Sequence, residues 1–251
     1  MSDRPADPWS AERGRSFGAV ADVYAATRPY YPPDAVAWVA GPACRNVLDL
    51  GAGTGKLTAG LVTAGKRVTA VEPLLDMLER LRVPQVWRVA AAAEHIPLAD
   101  RSMDAVYAGQ AFHWFRTDEA LAEIARVLRP AGRLGLLWNM IDVSVSWAAE
   151  LAGILHEKVP ALTTVSSAPP FTSRLFSGLE TRQFTHPGHR LDLPTLLDLV
   201  RSRSYIVTLN AKEHATVLGH VTQLAQEHAD LRGRSEFTLP YVTDVWRATK
   251  C

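Results

Sequence analysis

Cysteine is nearly absent: there are two in 251 residues, Cys44 and Cys251. So placed, they make neither a metal-ligand spacing nor a disulfide framework, which sets aside the stapled secreted scaffolds and fits a reduced, cytoplasmic setting. An excess of one charge is missing too. Lys plus Arg is 27 and Asp plus Glu is 26, leaving a net charge of +1. That balance supplies no field to draw in nucleic acid or an anionic membrane, and neither is expected as a partner. Long apolar runs are also lacking; stretches such as Leu134 to Trp138 are far too short to cross a bilayer. The opening segment, MSDRPADPWSAERGRS, is charged and broken by Pro5 and Pro8. It has no apolar core of signal-peptide length and is not acid-poor like a transit peptide. No internal repeat is visible. No metal site is expected either, because His186 and His189 flank a Pro187-Gly188 turn and read as surface histidines without further ligands at suitable spacing. Arg201 and Arg203 read as a solvated face.

What is present is an ordinary globular balance, 47% apolar and 21% charged, long enough to bury a real core. Residues 1–16 read as a loose leader. Ala19, Val20, Val23 and Tyr24 then have helical spacing, interrupted by Arg28-Pro29-Tyr30-Tyr31-Pro32-Pro33, and a second helix follows from about Asp34 to Ala40. Short apolar runs then alternate with helical patterns. Strands are expected at Asn46–Leu50, Arg67–Glu72, Gln85–Ala90, Asp104–Gly109 and Arg133–Trp138. Helices are expected over Gly55–Ala64, around Leu74–Leu81, and from Thr117, a plausible N-cap, to a stop at Arg129-Pro130-Ala131-Gly132. Such alternation means βαβ units and a mostly parallel sheet covered on both faces. After Trp138 the rhythm changes. Ser144–Lys158 reads as a helix and Pro160–Pro170 as a linker or lid. Leu179–His186 and Phe237–Ala248 read as closing strands of the same sheet. Helices around Leu196–Val200 and Val217–Leu224 would roof a site. Three parts result: residues 1–40 as leader and lid helices, 41–139 as a cofactor-binding core, and 140–251 as the rest of the core with cap insertions.

The informative segment is NVLDLGAGTGKLT, residues 46–58. A strand runs into a turn with glycines at Gly51, Gly53 and Gly55, then into a helix. Without a Cβ, backbone can turn sharply there and a ligand can approach closely. The turn falls at the carboxyl end of the first strand, where open α/β sheets bind ligands. A phosphate-binding P-loop does not fit, since Leu50 stands five before Gly55 and Leu57 follows Lys56. A dinucleotide turn does not fit either, because its third glycine would fall at Lys56. The spacing instead suits S-adenosylmethionine, where an acid, Asp49, precedes the glycines and no pyrophosphate needs holding. Glu72 ends the second strand, 21 residues beyond Gly51, where a carboxylate can accept hydrogen bonds from both ribose hydroxyls.

In order, VLDLGAGTGKLT, VEPLLDMLERL, AAAEHIPLADRSMDAVYAGQAFHWF and IARVLRPAGRLGLLWN resemble the class I S-adenosylmethionine-dependent methyltransferases. The FHWF and WN pieces, with YAATRPYYP upstream, look most like the small-molecule, trans-aconitate-methyltransferase-like subgroup. The resemblance implies a doubly wound, Rossmann-like sheet of seven strands with the last pair antiparallel. It implies S-adenosylmethionine as cofactor, S-adenosylhomocysteine as product and a small-molecule acceptor, the protein being a monomer or homodimer. Gly51, Ala52, Gly53 and Gly55 would pass close to the methionine part, with Asp49 bracing the loop. Glu72 would hold the ribose, Pro73 and Met77 would pack near the adenine, and Ala93 and Glu94 would fall in the adenine loop. Gln110 would lie under the sulfonium side, and Tyr24 and Arg28 would close over the amino-acid end. Tyr24, His113, Trp114, Trp138 and Asn139 would line the acceptor pocket. His113 is also the candidate general base, its alternative being a wall of that pocket. Oxygen is the expected acceptor atom, in a carboxylate or hydroxyl, with nitrogen and carbon left open. A methyltransferase acting on RNA or protein, and a non-catalytic protein of this fold that binds the cofactor, stay open as alternatives.

Overall fold

The computed structural model describes residues 28–156, 171–203, 206 and 209–251. The helix expected around Ala19–Tyr24, with Tyr24 itself, and the lid expected at Pro160–Pro170 lie outside those residues. The chain order is α1 (Pro33–Ala40), β1 (Asn46–Leu50), α2 (Lys56–Thr63), β2 (Arg67–Val71), α3 (Leu75–Arg80), β3 (Trp87–Val89) and β4 (Met103–Gly109). A 3-10 turn (Phe112–Trp114), α4 (Thr117–Val127), β5 (Leu128–Ile141), α5 (Ser146–His156), β6 (Phe176–Leu191), α6 (Leu193–Arg201), α7 (Ala211–Glu227) and β7 (Phe237–Lys250) follow.

The seven strands form one sheet in the order β3-β2-β1-β4-β5-β7-β6. The first five run parallel; β7 lies antiparallel between β5 and β6. Parallel strands with crossover helices are buried on both faces, and the last four residues of β1 are all buried. On one face, Leu121 and Ile124 of α4 pack against Leu48, Val106, Leu134 and Leu136. On the other, Val36 and Val39 of α1 and Leu61 of α2 pack against Val47, Ala105, Tyr107 and Leu137. Each fully buried aliphatic side chain contributes roughly 1.5–3 kcal/mol. Helices α5, α6 and α7 form a separate apolar cluster with Leu191, Phe237, Leu239 and Tyr241, around the end of β6 and the start of β7. That places them at the same edge of the sheet as the carboxyl ends of the parallel strands.

Three local expectations are corrected. Thr117 is the first helical residue of α4 rather than its cap, and the cap position, Arg116, makes no side-chain capping bond. The Arg129-Pro130-Ala131-Gly132 stop is a bulge inside β5: Leu128 pairs with Met103, and pairing resumes at Arg133 with Ala105, with Ala131 at φ 58°. Likewise Pro187-Gly188 is not a reverse turn but a bulge within β6. His186 pairs with Tyr241, His189 with Leu239, and Gly188 takes φ 81°. A proline without an N–H and a glycine at positive φ satisfy a bulge as well as a turn. Consequently His186 is no surface histidine; it is 8% exposed.

Close approach of α1 to the sheet depends on Gly135, where a Cβ would stand 2.3 Å from Cγ2 of Val39 and 2.7 Å from Tyr107. Gly135→Ala is therefore expected to destabilise the fold by about 1–3 kcal/mol through overpacking, read as a lower urea midpoint with an unchanged slope.

Candidate active site

The glycine turn stands at the carboxyl end of β1. Gly51, Gly53 and Gly55 have φ of 71°, 54° and 90°, a region L side chains rarely occupy. Their needs differ. A Cβ on Gly51 would lie 2.6 Å from that of Ala111, so this glycine admits its neighbour. At Gly53 nothing lies within 4 Å of where a Cβ would be, so its missing side chain leaves open space. Gly55 is the N-cap of α2. Buried Ala52 packs with Leu78 and Leu81 beneath the turn. The N–H groups of Gly51 and Ala52 donate to the carbonyl of Val71, at 2.8 and 3.1 Å, fastening the turn to β2.

Two buried carboxylates complete the fastening. The Thr58 hydroxyl donates to Oδ2 of Asp49 at 2.5 Å, joining β1 to α2 across the turn. Oδ1 of Asp49 is buried and, among the described residues, has no hydrogen-bond partner. Burial is the main reason that the Asp49 pKa is raised to about 7, with the charge of Glu72 adding to it. Glu72 follows β2 directly and accepts from the N–H of Gly53 at 2.9 Å and of Leu74 at 3.0 Å. Its pKa is also raised, by burial above all, against the opposing pull of those two N–H groups. Each Glu72 oxygen takes one of these bonds, and a carboxylate has about four lone-pair sites, so acceptor capacity is left over. An open glycine face in a turn flanked by two buried acids with spare acceptor capacity fits a ligand that brings positive charge and hydroxyl donors.

Around the turn, Pro73 is half-buried and Met77, on α3, is buried. Ala93 and Glu94 are buried as well. Glu94 accepts the N–H of Arg116 at 2.7 Å, tying its loop to the start of α4. That loop has two supports the sequence reading missed. Glu123 accepts the N–H of Ile96 at 2.8 Å, and Arg126 donates to the carbonyls of Ile96 and Leu98 at 2.7 and 2.8 Å. The signal is in the sequence, since both side chains lie on the polar face of a helix that the pattern predicts.

At the ends of β4 and β5 a second group converges. Gln110 sits at φ 55° and donates through Nε2 to the carbonyl of Asn139 at 2.8 Å. Asn139 accepts from the Thr243 hydroxyl at 2.7 Å and donates to the Tyr30 carbonyl at 3.3 Å. Nε2 of His186 also bonds the Tyr30 carbonyl, at 2.8 Å, while Nδ1 accepts from the N–H of Gly188 at 2.9 Å. These contacts fix the proton on Nε2. Burial lowers the pKa of the ring, which favours the neutral form. Residues 28–31, with half-buried Arg28, are thereby strapped across the strand ends. Asn139 is therefore a clamp, and His186 and Thr243 are members the sequence reading missed.

His113 and half-buried Trp114 form a short aromatic wall, their ring centroids 5.0 Å apart. His113 is exposed by accessible area, yet surrounding protein desolvates it enough to push its pKa down to about 4. At neutral pH such a ring is uncharged and a weak base. Trp138 departs from its expected place. It is 3% exposed, packed edge-on against Trp246 with centroids 5.1 Å apart, on the core face of β5 rather than in an open pocket. Arg201 pairs with Asp198 at 2.7 Å on the surface, whereas Arg203 is half-buried and does not share that solvated face. Among the described residues no group of three or more His, Cys, Asp or Glu side chains is placed to hold a metal ion. No described helix is long and apolar enough to cross a membrane.

A sheet in this order, with its glycine turn and acids at the ends of β1 and β2, has the architecture of the class I methyltransferases. Comparison with known proteins agrees. The methyltransferase-domain family model matches residues 48–136. An uncharacterized methyltransferase of Mycobacterium tuberculosis is 44% identical over 237 residues, 93% of this chain and 95% of that protein. A malonyl-[acyl-carrier protein] O-methyltransferase of Methylococcus capsulatus is 38% identical over 166 residues, 59% of each chain. A solved structure from Anaeromyxobacter dehalogenans, bearing the name of a type II methyltransferase, shares the fold. Its TM-score is 0.59 at 23% identity, covering 89% of this chain and 96% of that one. The chain belongs to the methyltransferase family; it is a class I enzyme whose methyl donor is S-adenosylmethionine.

Gly51→Ala and Gly53→Ala should separate folding from binding. The first is expected to lower the melting temperature by several degrees, through its contact with Ala111. The second carries only the roughly 1–2 kcal/mol strain of a left-handed alanine. It should nevertheless weaken S-adenosylhomocysteine binding by about tenfold or more, because its methyl occupies the open face; calorimetry reads this directly.

Proposed function

We propose that this enzyme methylates a small organic acceptor at oxygen, in a carboxylate or hydroxyl, with alignment and water exclusion as its main catalytic devices. The observation that carries the reading is the enclosure of the strand ends. Residues 28–31 cross them, held by Asn139 and His186, and α5, α6 and α7 cluster at the same edge. A strapped, roofed site suits a small acceptor better than a folded RNA or protein surface. The near-neutral composition points the same way. The relative named as an O-methyltransferase of malonyl-[acyl-carrier protein] lends support to a carboxylate oxygen, as does the resemblance to the trans-aconitate subgroup.

In this reading Gly51, Ala52, Gly53 and Gly55 cradle the methionine part of the cofactor and Glu72 accepts its ribose hydroxyls. Pro73, Met77, Ala93 and Glu94 surround the adenine. Gln110 lies on the sulfonium side, and Arg28 faces the carboxylate end. Asp49, through its unpartnered Oδ1, balances the positive charge. When bound, the cofactor supplies an already activated methyl group. The residues of the chain then need to hold an acceptor oxygen in line and keep water away, and well-oriented reactions gain about 7–11 kcal/mol from this alone. An acceptor carboxylate arrives ionised and needs no base. Neutral His113, with its pKa of about 4, then serves as a wall with Trp114 and not as a proton acceptor.

Two measurements test this. Cell extract incubated with enzyme and methyl-labelled cofactor should yield labelled small acids heavier by a methyl for a hydrogen; label confined to RNA or protein, or found nowhere, would refute the reading. S-Adenosylhomocysteine affinity should also depend on pH. Asp49 titrates near 7 in the free protein and must be ionised to balance an ammonium. Protonation therefore competes below pH 7, and Kd should rise by up to about tenfold per pH unit toward acid while levelling off above pH 8. A flat profile from about pH 5 to 8 would remove Asp49 from that role.

A further inference from the structure

The polar row that holds the strap continues beyond it. Asn139 pairs across the sheet with Thr243, and Ile141 with Tyr241. Tyr241 in turn pairs with His186, their ring centroids 5.5 Å apart. Alternation along β7 puts Tyr241 on the same face as Thr243. The ring is 4% exposed and packs in the cluster of α5, α6 and α7. Its hydroxyl is buried and, among the described residues, has no hydrogen-bond partner. Buried polar atoms are almost always satisfied, and phenylalanine would fill the same volume without an orphan donor.

A second unsatisfied donor belongs to the same cluster. Arg203 lies just past α6, with its N–H bonded to the Val200 carbonyl and its carbonyl accepting the N–H of Ile206. Val200 and Ile206 are both buried in the apolar cluster that contains Tyr241. Nε of Arg203 is buried without a hydrogen-bond partner, and among the described residues no carboxylate pairs with this guanidinium. The charges of Arg203 and Arg28 both act on the Tyr241 phenol, opposing the rise that burial imposes on its pKa. A phenol donor in the cluster of the cap helices and a forked cation beside that cluster, with no paired carboxylate among the described residues, are complementary to a carboxylate, which accepts from both.

We propose that Tyr241 and Arg203 form the anchor for a carboxylate group of the acceptor, at the cap side of the site. This rests on the small-acceptor reading above and narrows it to organic acids. Phosphate could satisfy the guanidinium as well, so the test includes it.

Tyr241→Phe is the informative variant, because a hydroxyl without a partner among the described residues can be removed without lowering the melting temperature. The protein, saturated with S-adenosylhomocysteine, would be titrated by calorimetry with succinate, citrate, benzoate, succinamide and inorganic phosphate. At least one carboxylate should bind and the neutral diamide should not. Tyr241→Phe and Arg203→Met should each weaken that carboxylate by about tenfold or more, with S-adenosylhomocysteine affinity unchanged. Any of four results overturns the proposal: no carboxylate binds, both variants bind it like the wild type, phosphate alone binds, or Tyr241→Phe melts several degrees lower and so reveals an internal partner. If S-adenosylhomocysteine itself fails to bind, the cofactor assignment falls together with this proposal. If carboxylates bind as expected while extract label goes only to RNA or protein, the anchor stands as a carboxylate site and its acceptor role is refuted.

Discussion

Two carboxylates without a matching cation among the described residues, Asp49 and Glu72, set the terms for this protein. Each is almost completely buried, and burial raises the pKa of both. Proteins rarely bury acids unless something compensates them. Here the compensation is partial: Thr58, through its hydroxyl and its backbone, for Asp49 and two backbone N–H groups for Glu72. Those bonds hold a turn that would otherwise be costly, with three residues at positive φ in a span of five. The same two groups therefore shape the backbone cradle and leave a negative potential beneath it. A sulfonium nucleoside, with hydroxyls to donate and positive charge to share, answers both conditions, whereas a phosphate chain would be repelled.

The other half of the site, the proposed acceptor side, is built by another principle. Its geometry comes from strand ends meeting one another through side chains. Gln110, Asn139, Thr243 and His186 link β4, β5, β7 and β6 and converge on one backbone segment at Tyr30. The tautomer of His186 is set by the N–H of Gly188, which exists in that position only because Pro187-Gly188 bulges out of β6. A local irregularity of the sheet is thus converted into a fixed hydrogen bond to a segment 156 residues away in sequence.

This difference explains what could be read in the sequence. From Asn46 to Val127 the elements announce themselves locally. Short apolar runs are strands, Leu121 and Ile124 mark a helix face, and three glycines mark a turn; all stand in the structure within a few residues of expectation. The residues proposed for the cofactor side sit in one strand–turn–helix and one strand end, which is why a local pattern could name them together. His186 was not, because its partner, Tyr30, lies on a distant segment and Pro-Gly is equally compatible with a hairpin turn and a bulge. Trp138 was misplaced although a signal existed: neighbours in a strand face opposite ways, so Trp138 and Asn139 cannot both face one pocket. Arg203 was misread by grouping it with Arg201, although the helix ends between them.

The glycine-turn side and the proposed acceptor side meet at the strap, and for the proposed reaction this has a mechanistic consequence. Residues 28–31 touch the glycine-turn side through Tyr30, whose ring lies 3.9 Å from the Lys56 ammonium at the start of α2. They touch the ends of β5 and β6 through the Tyr30 carbonyl, held by Asn139 and His186. Tyr31 meanwhile closes against Gly109, where any Cβ would stand 2.5 Å from the phenol oxygen. One short segment is thus bonded to both halves of the site and packed on the strand end between them. Enzymes that rely on alignment instead of acid–base chemistry need such a common reference, because an in-line displacement is lost when donor and acceptor shift relative to one another. The strap supplies it by fixing both halves to the same few backbone atoms.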